Sequence, residues 1–294
     1  MDNNETHYVS NINWYPGHMA KTRRMLEENI KLIDAVVEIL DARIPLSSRN
    51  PHFDDIIKSK PRLVILNKAD LADNAKTEKW LDFYKKNNIK AICVSCQSGK
   101  GINQIIPEIF ELAKDKTEKY AQKGVKKSVK VMIIGIPNVG KSTLINRIVG
   151  KSAAKTGNRP GVTLSKQWIR LKDGLELLDT PGILPPKLED RDVALKLAYT
   201  GAIKDEIMET ELICYSLLEN LMKNYPELLI RRYNITEIEG LKGYELLEKI
   251  GRKRGCLVSG GEVDMPRAAN IVLDDFRNLK IGPVTLDFAE EYYE

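Results

Sequence analysis

Residues 129–143 constrain the fold of this chain more than any other stretch. Residues 129–134 form a nearly continuous apolar run, which is typical of a parallel strand covered on both faces. From Gly135 to Ser142 the chain then matches G-x-x-x-x-G-K-[ST] at every fixed position, and the apolar spacing of residues 144–149 predicts an amphipathic helix. Strand, phosphate-binding loop and helix therefore follow one another in the order that nucleotide binding requires.

The residue types of this loop suit phosphate binding. Phosphate oxygens require converging backbone N–H groups, which glycines allow to approach closely, and the start of a helix adds a favourable dipole. We predict that Lys141 reaches the β- and γ-phosphates and that the Ser142 hydroxyl binds Mg²⁺. The alternative, a glycine-containing turn that binds nothing, is disfavoured by the flanking strand and helix. The nucleotide-binding residues predicted here are Asn138, Val139, Gly140, Lys141, Ser142 and Thr143.

A second predicted strand, residues 63–66, ends in Asn67-Lys68-Ala69-Asp70, the N-K-x-D pattern of guanine-specific sites. The Asp70 carboxylate can accept hydrogen bonds from guanine N1–H and the exocyclic amine, a donor pair that adenine lacks. Asn67 would hold the loop and contact the base, and the Lys68 stem would lie against the ring. Because a four-residue pattern occurs often by chance, this pattern taken alone is equally consistent with a solvated turn after the strand.

A third predicted strand, residues 91–94, leads into Ser95 and Cys96. A backbone N–H at this position could contact the guanine carbonyl oxygen, as a second base loop does. Cys93 and Cys96 also have C-x-x-C spacing, but no second cysteine pair completes a zinc site. A redox or metal role is therefore the weaker alternative.

Two downstream segments supply the remaining elements of such a site. Thr163, in a loop rich in glycine and proline, could offer its hydroxyl to Mg²⁺ when a γ-phosphate is present, although an ordinary surface loop is the alternative. Residues 167–178 predict a hairpin that ends in Asp179-Thr180-Pro181-Gly182, a D-x-x-G pattern. Asp179 would hold the Mg²⁺ shell, and the Gly182 N–H would sense the γ-phosphate.

Length and composition allow two domains and set limits on the partners. We predict a GTPase domain over residues 1–185 and an α-helical domain over residues 186–294, where strand and helix no longer alternate. No run approaches about 18 consecutive apolar residues, and the N-terminus resembles no targeting peptide, so we expect a cytoplasmic protein without a membrane partner. We also expect a monomer. The net charge of +5 permits a polyanionic partner. The basic residues near 231 and 249–254 either complement helix dipoles or contact RNA phosphates.

The motifs are those of a GTPase in a rotated order, since both base loops precede the phosphate loop. A circular permutation keeps the same sheet by joining the original ends and opening the chain elsewhere. The charged connector at residues 115–128 is the natural join. We therefore predict an α/β fold, a circularly permuted P-loop GTPase domain with a mostly parallel sheet and helices on both faces, followed by a smaller all-α domain.

This motif order, with Asn-Trp-Tyr-Pro-Gly-His-Met-Ala-Lys at residues 13–21 and Asp-Ala-Arg-Ile-Pro-Leu-Ser-Ser-Arg-Asn-Pro at residues 41–51, closely resembles the ribosome biogenesis GTPase A family, also called YlqF. The resemblance covers essentially the whole chain. It implies a protein that binds late precursors of the large ribosomal subunit through ribosomal RNA, hydrolyses GTP there and leaves. It also implies that the C-terminal helices bind RNA.

The resemblance assigns two further residues. Many GTPases place a glutamine directly after D-x-x-G to orient the attacking water, but Ile183 occupies that position and cannot hydrogen-bond water. The resemblance implies His18 as the catalytic substitute, while a histidine that contacts solvent or RNA is the alternative. Asn138 resembles the asparagine that helps to hold K⁺ in potassium-activated GTPases, whereas a simple loop-forming role is the alternative. The expected ligands are thus GTP, Mg²⁺ and K⁺.

Three other classes of function compete with this interpretation. The chain could be an RNA-binding assembly factor that uses GTP only as a structural ligand. It could be an ATP-dependent enzyme such as a kinase, which residues 67–70 argue against. It could also be a GTPase of tRNA modification or ion transport, which the rotated motif order and the lack of a long apolar run disfavour.

Overall fold

The chain forms two compact units, one built on a β-sheet and one helical. The computed structural model describes residues 17–58, 60–125, 127–152, 167–171, 174–185, 188, 190–203 and 209–292, and the side chains of residues 17–19, 151 and 152 are not among the described atoms. Of these residues, the sheet unit contains 17–185 and 287–292, and the helical unit contains those from 188 to 286. The predicted fold class, an α/β domain with a smaller all-α part, is confirmed.

The sheet unit is built on a six-stranded sheet. Five strands are parallel, and the edge strand β5 pairs antiparallel with β6. Strand β1 is buried at every residue, as expected for a parallel strand covered on both faces. The strands are β1 (Ala35–Asp41), β2 (Arg62–Asn67), β3 (Lys90–Cys93), β4 (Val129–Ile134), β5 (Gln167–Arg170) and β6 (Leu175–Asp179), in the spatial order β3-β2-β1-β4-β6-β5.

This strand order determines where the loops that carry the predicted nucleotide-binding motifs meet. The chain runs outward from β1 to β3, returns to β4 beside β1, then forms β5 at the other edge and comes back to β6, which lies between β4 and β5. The order therefore reverses between β1 and β4, and ligands of open α/β sheets bind beyond the carboxyl ends of the strands at such a reversal. Because β2, β3, β4 and β6 all end at this edge, the rotated motifs still converge there.

Helices of the sheet unit lie between and after these strands. Helix α5 occupies part of the segment that the sequence predicted as a connector. None of its residues is buried, so the apolar periodicity by which a helix is recognised is absent. The described helices are α1 (Gly17–Asn29), α2 (His52–Ile57), α3 (Asn74–Lys86), α4 (Ile102–Leu112), α5 (Lys114–Ala121) and α6 (Lys141–Ser152), with short 3-10 helices at Ile30–Leu32 and Ala289–Tyr292.

The C-terminal residues 287–292 pack on the sheet unit, which differs from the predicted assignment of residues 186–294 to one helical domain. Trp80 Nε1 on α3 donates a hydrogen bond to the Asp287 carbonyl oxygen at 3.0 Å. Ala289 joins the buried apolar cluster that contains Trp80 and Tyr84. These contacts join residues more than 200 positions apart, so no local pattern in the sequence predicts them.

The helical unit is organised around α8. Its residues Ile213, Leu217 and Leu221 recur at helical spacing and are fully buried. Helix α8 contacts each of the other helices described in this unit. They are α7 (Arg191–Tyr199), α8 (Thr210–Asn224), α9 (Pro226–Tyr233), α10 (Gly243–Lys253) and α11 (Met265–Arg277).

Asp275 on α11 holds several basic side chains of the helical unit. Its carboxylate is buried and accepts two hydrogen bonds of 2.9 Å from Arg232 and one of 3.2 Å from Arg254. Arg252 instead pairs with Glu248. Several of the basic residues that the sequence offered as RNA contacts therefore already neutralise carboxylates of the same unit.

We expect Asp275→Ala to destabilise the helical unit by about 3 kcal/mol, because it leaves the partly exposed guanidinium groups of Arg232 and Arg254 without their buried counter-charge. The matched control is Asp274→Ala, which removes an exposed carboxylate paired with Lys280 and should have a much smaller effect, because solvent screens an exposed ion pair. Urea unfolding followed by circular dichroism measures both. Equal stability of the two variants would contradict the role given to Asp275.

Candidate nucleotide-binding site

The side chain of Asn67 joins three of the predicted loops. It lies at the end of β2 and is 1% exposed. Its Nδ2 donates a 2.7 Å hydrogen bond to the Val139 carbonyl in the phosphate loop, and its Oδ1 accepts a 3.3 Å hydrogen bond from the Cys96 N–H in the second base loop. One amide therefore fixes the N-K-x-D loop, the phosphate loop and the second base loop relative to one another.

The phosphate loop, residues 135–142, fits closely around this amide. Gly140 has φ +94°, and a Cβ on it would lie 2.3 Å from Asn67 Nδ2, so only glycine fits both the conformation and the space. Val139 is buried, whereas Asn138 is exposed and has φ +60°. Ser142 and Thr143 lie in the first turn of α6, half-buried and exposed respectively.

Lys141 is a buried cation at the start of α6. Its Nζ donates hydrogen bonds to the carbonyls of Gly135 at 3.0 Å and Ile136 at 2.8 Å. Burial lowers the pKa of Lys141 to about 8, and the nearby Asp179 carboxylate only partly opposes this. An ammonium in such surroundings is better stabilised by a polyanion, because carbonyl dipoles replace its hydration incompletely.

The D-x-x-G segment after β6 packs on the phosphate loop. Thr180 Oγ1 donates a 2.6 Å hydrogen bond to the Ile133 carbonyl. A Cβ on Gly182 would lie 2.7 Å from the Pro137 nitrogen and 2.9 Å from Lys141 Nζ, so a side chain at Gly182 would clash with the phosphate loop. The two segments predicted to bind the γ-phosphate are therefore adjacent.

Ile183 is buried, and its carbonyl accepts a 3.0 Å hydrogen bond from Asn50 Nδ2. Its side chain is apolar and directed away from solvent, so it does not position a water molecule. Asn50 belongs to the loop that follows β1, and this contact places that loop beside the D-x-x-G segment.

The second base loop is held mainly by its own backbone and by Asn67. The Ser95 N–H donates to the Lys100 carbonyl at 3.0 Å, and Ser95 Oγ accepts from the Ser98 N–H at 3.1 Å. Burial raises the pKa of the Cys96 thiol to about 11, although Arg147 and a hydrogen bond with Asn67 partly oppose this. Burial likewise raises the pKa of Cys93 to about 11, and neither thiol forms a disulfide. Protonated thiols are poor metal ligands and poor nucleophiles.

Lys68 has a partner that the sequence analysis missed. Its Nζ lies 2.9 Å from Asp41 Oδ2, and Arg43 donates two hydrogen bonds, of 2.9 and 2.8 Å, to the same carboxylate. Burial alone would raise the pKa of Asp41, but the two cations hold it well below its usual range, so the carboxylate stays ionised. Only the Asp41–Arg43 pair is local in sequence; the pairing of Asp41 with Lys68 depends on the fold.

Two of the predicted residues lie at or beyond the limits of the structure. Thr163 is outside the described residues. His18 lies in the first turn of α1, and its side chain is not described. Their roles remain predictions.

The described residues fit a nucleotide with a divalent cation. Because Gly182 has no side chain, the D-x-x-G segment approaches Lys141 Nζ closely. Asp179, 1% exposed, and the Ser142 hydroxyl lie on the segments that flank Lys141 and supply the oxygen ligands that Mg²⁺ prefers. No cluster of three or more His, Cys, Asp or Glu side chains capable of holding a metal occurs in the described ranges. In the same part of the chain, no helix combines the length and apolarity needed to cross a membrane.

Fold and site together define a circularly permuted P-loop GTPase. A family model described as "50S ribosome-binding GTPase" matches residues 130–234. The chain is 53% identical over 283 residues to Ribosome biogenesis GTPase A of Priestia megaterium, covering 95% of this chain and 98% of that protein. It is 49% identical to the Bacillus licheniformis protein of the same name, covering 95% and 99%.

A solved structure agrees with these sequence relatives. The GNP-bound YlqF from T. maritima superposes with a TM-score of 0.64 at 29% identity, covering 92% of this chain and 99% of that one. The chain belongs to the ribosome biogenesis GTPase A family. The family that the sequence resembles is thus confirmed.

The pKa of Lys141 predicts how nucleotide affinity depends on pH. Phosphates bind the charged ammonium, so the affinity for GDP should fall as the pH rises through about 8, by up to about tenfold per pH unit above it. Lys141→Arg is the matched control, because a guanidinium keeps its charge and should remove this dependence even if its affinity is lower. Calorimetric titration with GDP between pH 7 and 9 measures both. Identical pH profiles for the two proteins would contradict the prediction.

Proposed function

We propose that the chain is a GTP-hydrolysing assembly factor that binds precursors of the large ribosomal subunit in the cytoplasm and promotes their late maturation, with its turnover stimulated by the particle. Family membership carries this proposal, because the relatives' names and the description of the matched family model both refer to the ribosome. The bundle of Asn67 contacts supports the nucleotide-dependent part, since it assembles the elements of a guanine nucleotide site.

In the proposed complex the base lies between the two base loops. Asp70 accepts from guanine N1–H and the exocyclic amine, and the stem of Lys68, fixed at its end by Asp41, lies along the ring. Asn67 and the backbone of Ser95 and Cys96 complete the base pocket. The phosphates lie over residues 138–143, with Lys141 at the β- and γ-phosphates.

Several residues would help to neutralise the negative charge of the γ-phosphate. Ser142, Thr163 and Asp179 hold Mg²⁺, which supplies charge neutralisation to the phosphates when bound. The Gly182 N–H donates to the γ-phosphate, which its close approach to Lys141 favours. Asn138, exposed at the rim of the loop, would hold K⁺ for the same electrostatic purpose.

Hydrolysis also requires a group that orients water. Buried Ile183 does not provide it, and we propose His18, at the start of α1, as a group brought into place by the ribosomal particle. This would explain why turnover depends on the particle, because the catalytic group is supplied only on binding.

The helical unit is the proposed RNA-binding part. Arg231 on α9 and Lys253 on α10 carry no ion pair to another described residue, whereas Arg232 and Arg254 pair with Asp275. We therefore expect Arg231 and Lys253, more than Arg232 and Arg254, to contact RNA phosphates. A monomer suffices for every role proposed here.

The decisive experiment measures GTP turnover with and without immature large subunits, in KCl and in NaCl. We expect the particle to raise the turnover number by roughly tenfold or more, as supplied catalytic groups do in other GTPases, and KCl to support the higher rate. Turnover that does not respond to the particle would reject the proposal in favour of GTP as a structural ligand. Equal rates in the two salts would reject the K⁺ site alone.

His18→Ala separates binding from chemistry in the same assay. The variant should keep the GTP affinity of the wild type and lose roughly 10²-fold in particle-stimulated turnover, the typical contribution of a positioned acid–base group. His52→Ala, which removes a histidine from the start of α2, is the matched control and should keep the stimulated rate. Unchanged turnover of His18→Ala would remove this residue from the mechanism.

A further inference from the structure

The loop formed by residues 41–50, between β1 and α2, touches both halves of the nucleotide site. The Ala42 N–H donates a 2.8 Å hydrogen bond to the Asn67 carbonyl, and Asp41 pairs with Lys68 at 2.9 Å. At the other end of the loop, Asn50 Nδ2 donates to the Ile183 carbonyl at 3.0 Å. The loop contains none of the nucleotide-binding motifs, yet it contacts both the guanine loop and the residue after D-x-x-G.

Asp287 fixes the middle of this loop. Its Oδ2 accepts hydrogen bonds from the Leu46 N–H at 2.9 Å and the Ser47 N–H at 2.7 Å, and its Oδ1 accepts from Ser47 Oγ at 2.8 Å. Asp287 and Ser47 are 1% and 4% exposed. Buried hydrogen bonds to a charged acceptor are strong and geometrically demanding, so the loop conformation depends on this carboxylate.

The hydrogen bonds within the loop do not satisfy the N–H groups that Asp287 binds. Ile44 and Ser48 donate to the carbonyls of Asp41 and Ile44, and these bonds define the turn. The N–H groups of Leu46 and Ser47 point instead to the carboxylate, more than 200 positions away in the chain. Without the Asp287 carboxylate, the N–H groups of Leu46 and Ser47 would have no acceptor. The loop would then have to move so that these groups could find other partners.

We propose that Asp287 is a positioning residue for guanine nucleotide binding. It fixes the 41–50 loop, which in turn holds the Asn67 backbone and the Lys68 ammonium, and so it sets the place of Asp70 opposite the base. This inference concerns affinity and base discrimination in the free protein and does not rest on the proposed role in ribosome maturation.

Glu290 offers a matched control within the same C-terminal segment. It pairs with Lys79 and, at 3.5 Å, with Lys76, both on α3, and its side chain is 40% exposed. It makes no hydrogen bond to the 41–50 loop among those described. Glu290→Gln therefore weakens the attachment of the segment without touching the loop, whereas Asp287→Asn removes the charge that the loop depends on.

The experiment compares the dissociation constants of GDP and of IDP, which lacks the exocyclic amine that Asp70 would bind, in the full-length wild type, Asp287→Asn and Glu290→Gln. We expect Asp287→Asn to weaken GDP binding by roughly fivefold or more and to lower the preference for GDP over IDP. Glu290→Gln should leave both within about twofold of the wild type. A residue that only anchored the chain end would not change base preference.

Two outcomes would overturn the proposal: unchanged GDP affinity and preference in Asp287→Asn, or equal losses in Asp287→Asn and Glu290→Gln. If Asp287→Asn fails to unfold cooperatively on heating, Ser47→Ala replaces it, because this variant removes only the bond from Ser47 Oγ. Ser47→Ala should weaken GDP binding in the same direction by roughly twofold or more. Ser47→Ala with the affinity and base preference of the wild type would equally overturn the proposal.

Discussion

The hydrogen bonds of one buried residue, Asn67, hold the nucleotide site together. Its side-chain amide binds the phosphate loop through Val139 and the second base loop through Cys96, and its carbonyl accepts from Ala42 in the 41–50 loop. Because the side-chain amide is buried, the Val139 carbonyl and the Cys96 N–H would lose their partner if the amide moved. Gly140 is required for the same reason, since any side chain there would overlap the amide. These contacts therefore fix the loops relative to one another.

This dependence explains why the order of the motifs along the chain can rotate without loss of the site. The motifs follow strands that are parallel and adjacent, so their carboxyl ends share one edge of the sheet whatever the order of synthesis. Side-chain hydrogen bonds then join the loops at the carboxyl ends of the strands, and the loops need not be close to one another in the sequence. One consequence is that the D-x-x-G segment is the last nucleotide-binding element before the helical unit begins at residue 188.

The parts of this structure that sequence patterns predict are those with local periodicity or fixed spacing. The strand before the phosphate loop, the hairpin that ends at Asp179 and the helices around α8 all have such signals, and each is present. Helix α5 was missed because it buries no residue and is sustained by charged, helix-forming side chains alone.

Long-range polar contacts are the parts that sequence could not predict. The pairing of Lys68 with Asp41 depends on the register of β1 and β2, which places Asp41 opposite Asn67. The attachment of Asp287 to Ser47 depends on the return of the chain to the sheet after residue 286. Neither has a spacing signal, because the partners are brought together by the fold and not by a turn or a helix.

The role of Asn67 as a link between the loops can be tested with Asn67→Asp, measured beside Asn67→Ala. The aspartate keeps an acceptor for the Cys96 N–H but replaces the donor to Val139 with a second oxygen, which would repel that carbonyl. Calorimetric titration with GDP should show roughly tenfold or greater loss for both variants, with the aspartate at least as weak as the alanine. An aspartate variant that binds GDP as tightly as the wild type would contradict the account, because the link to the phosphate loop would then be dispensable.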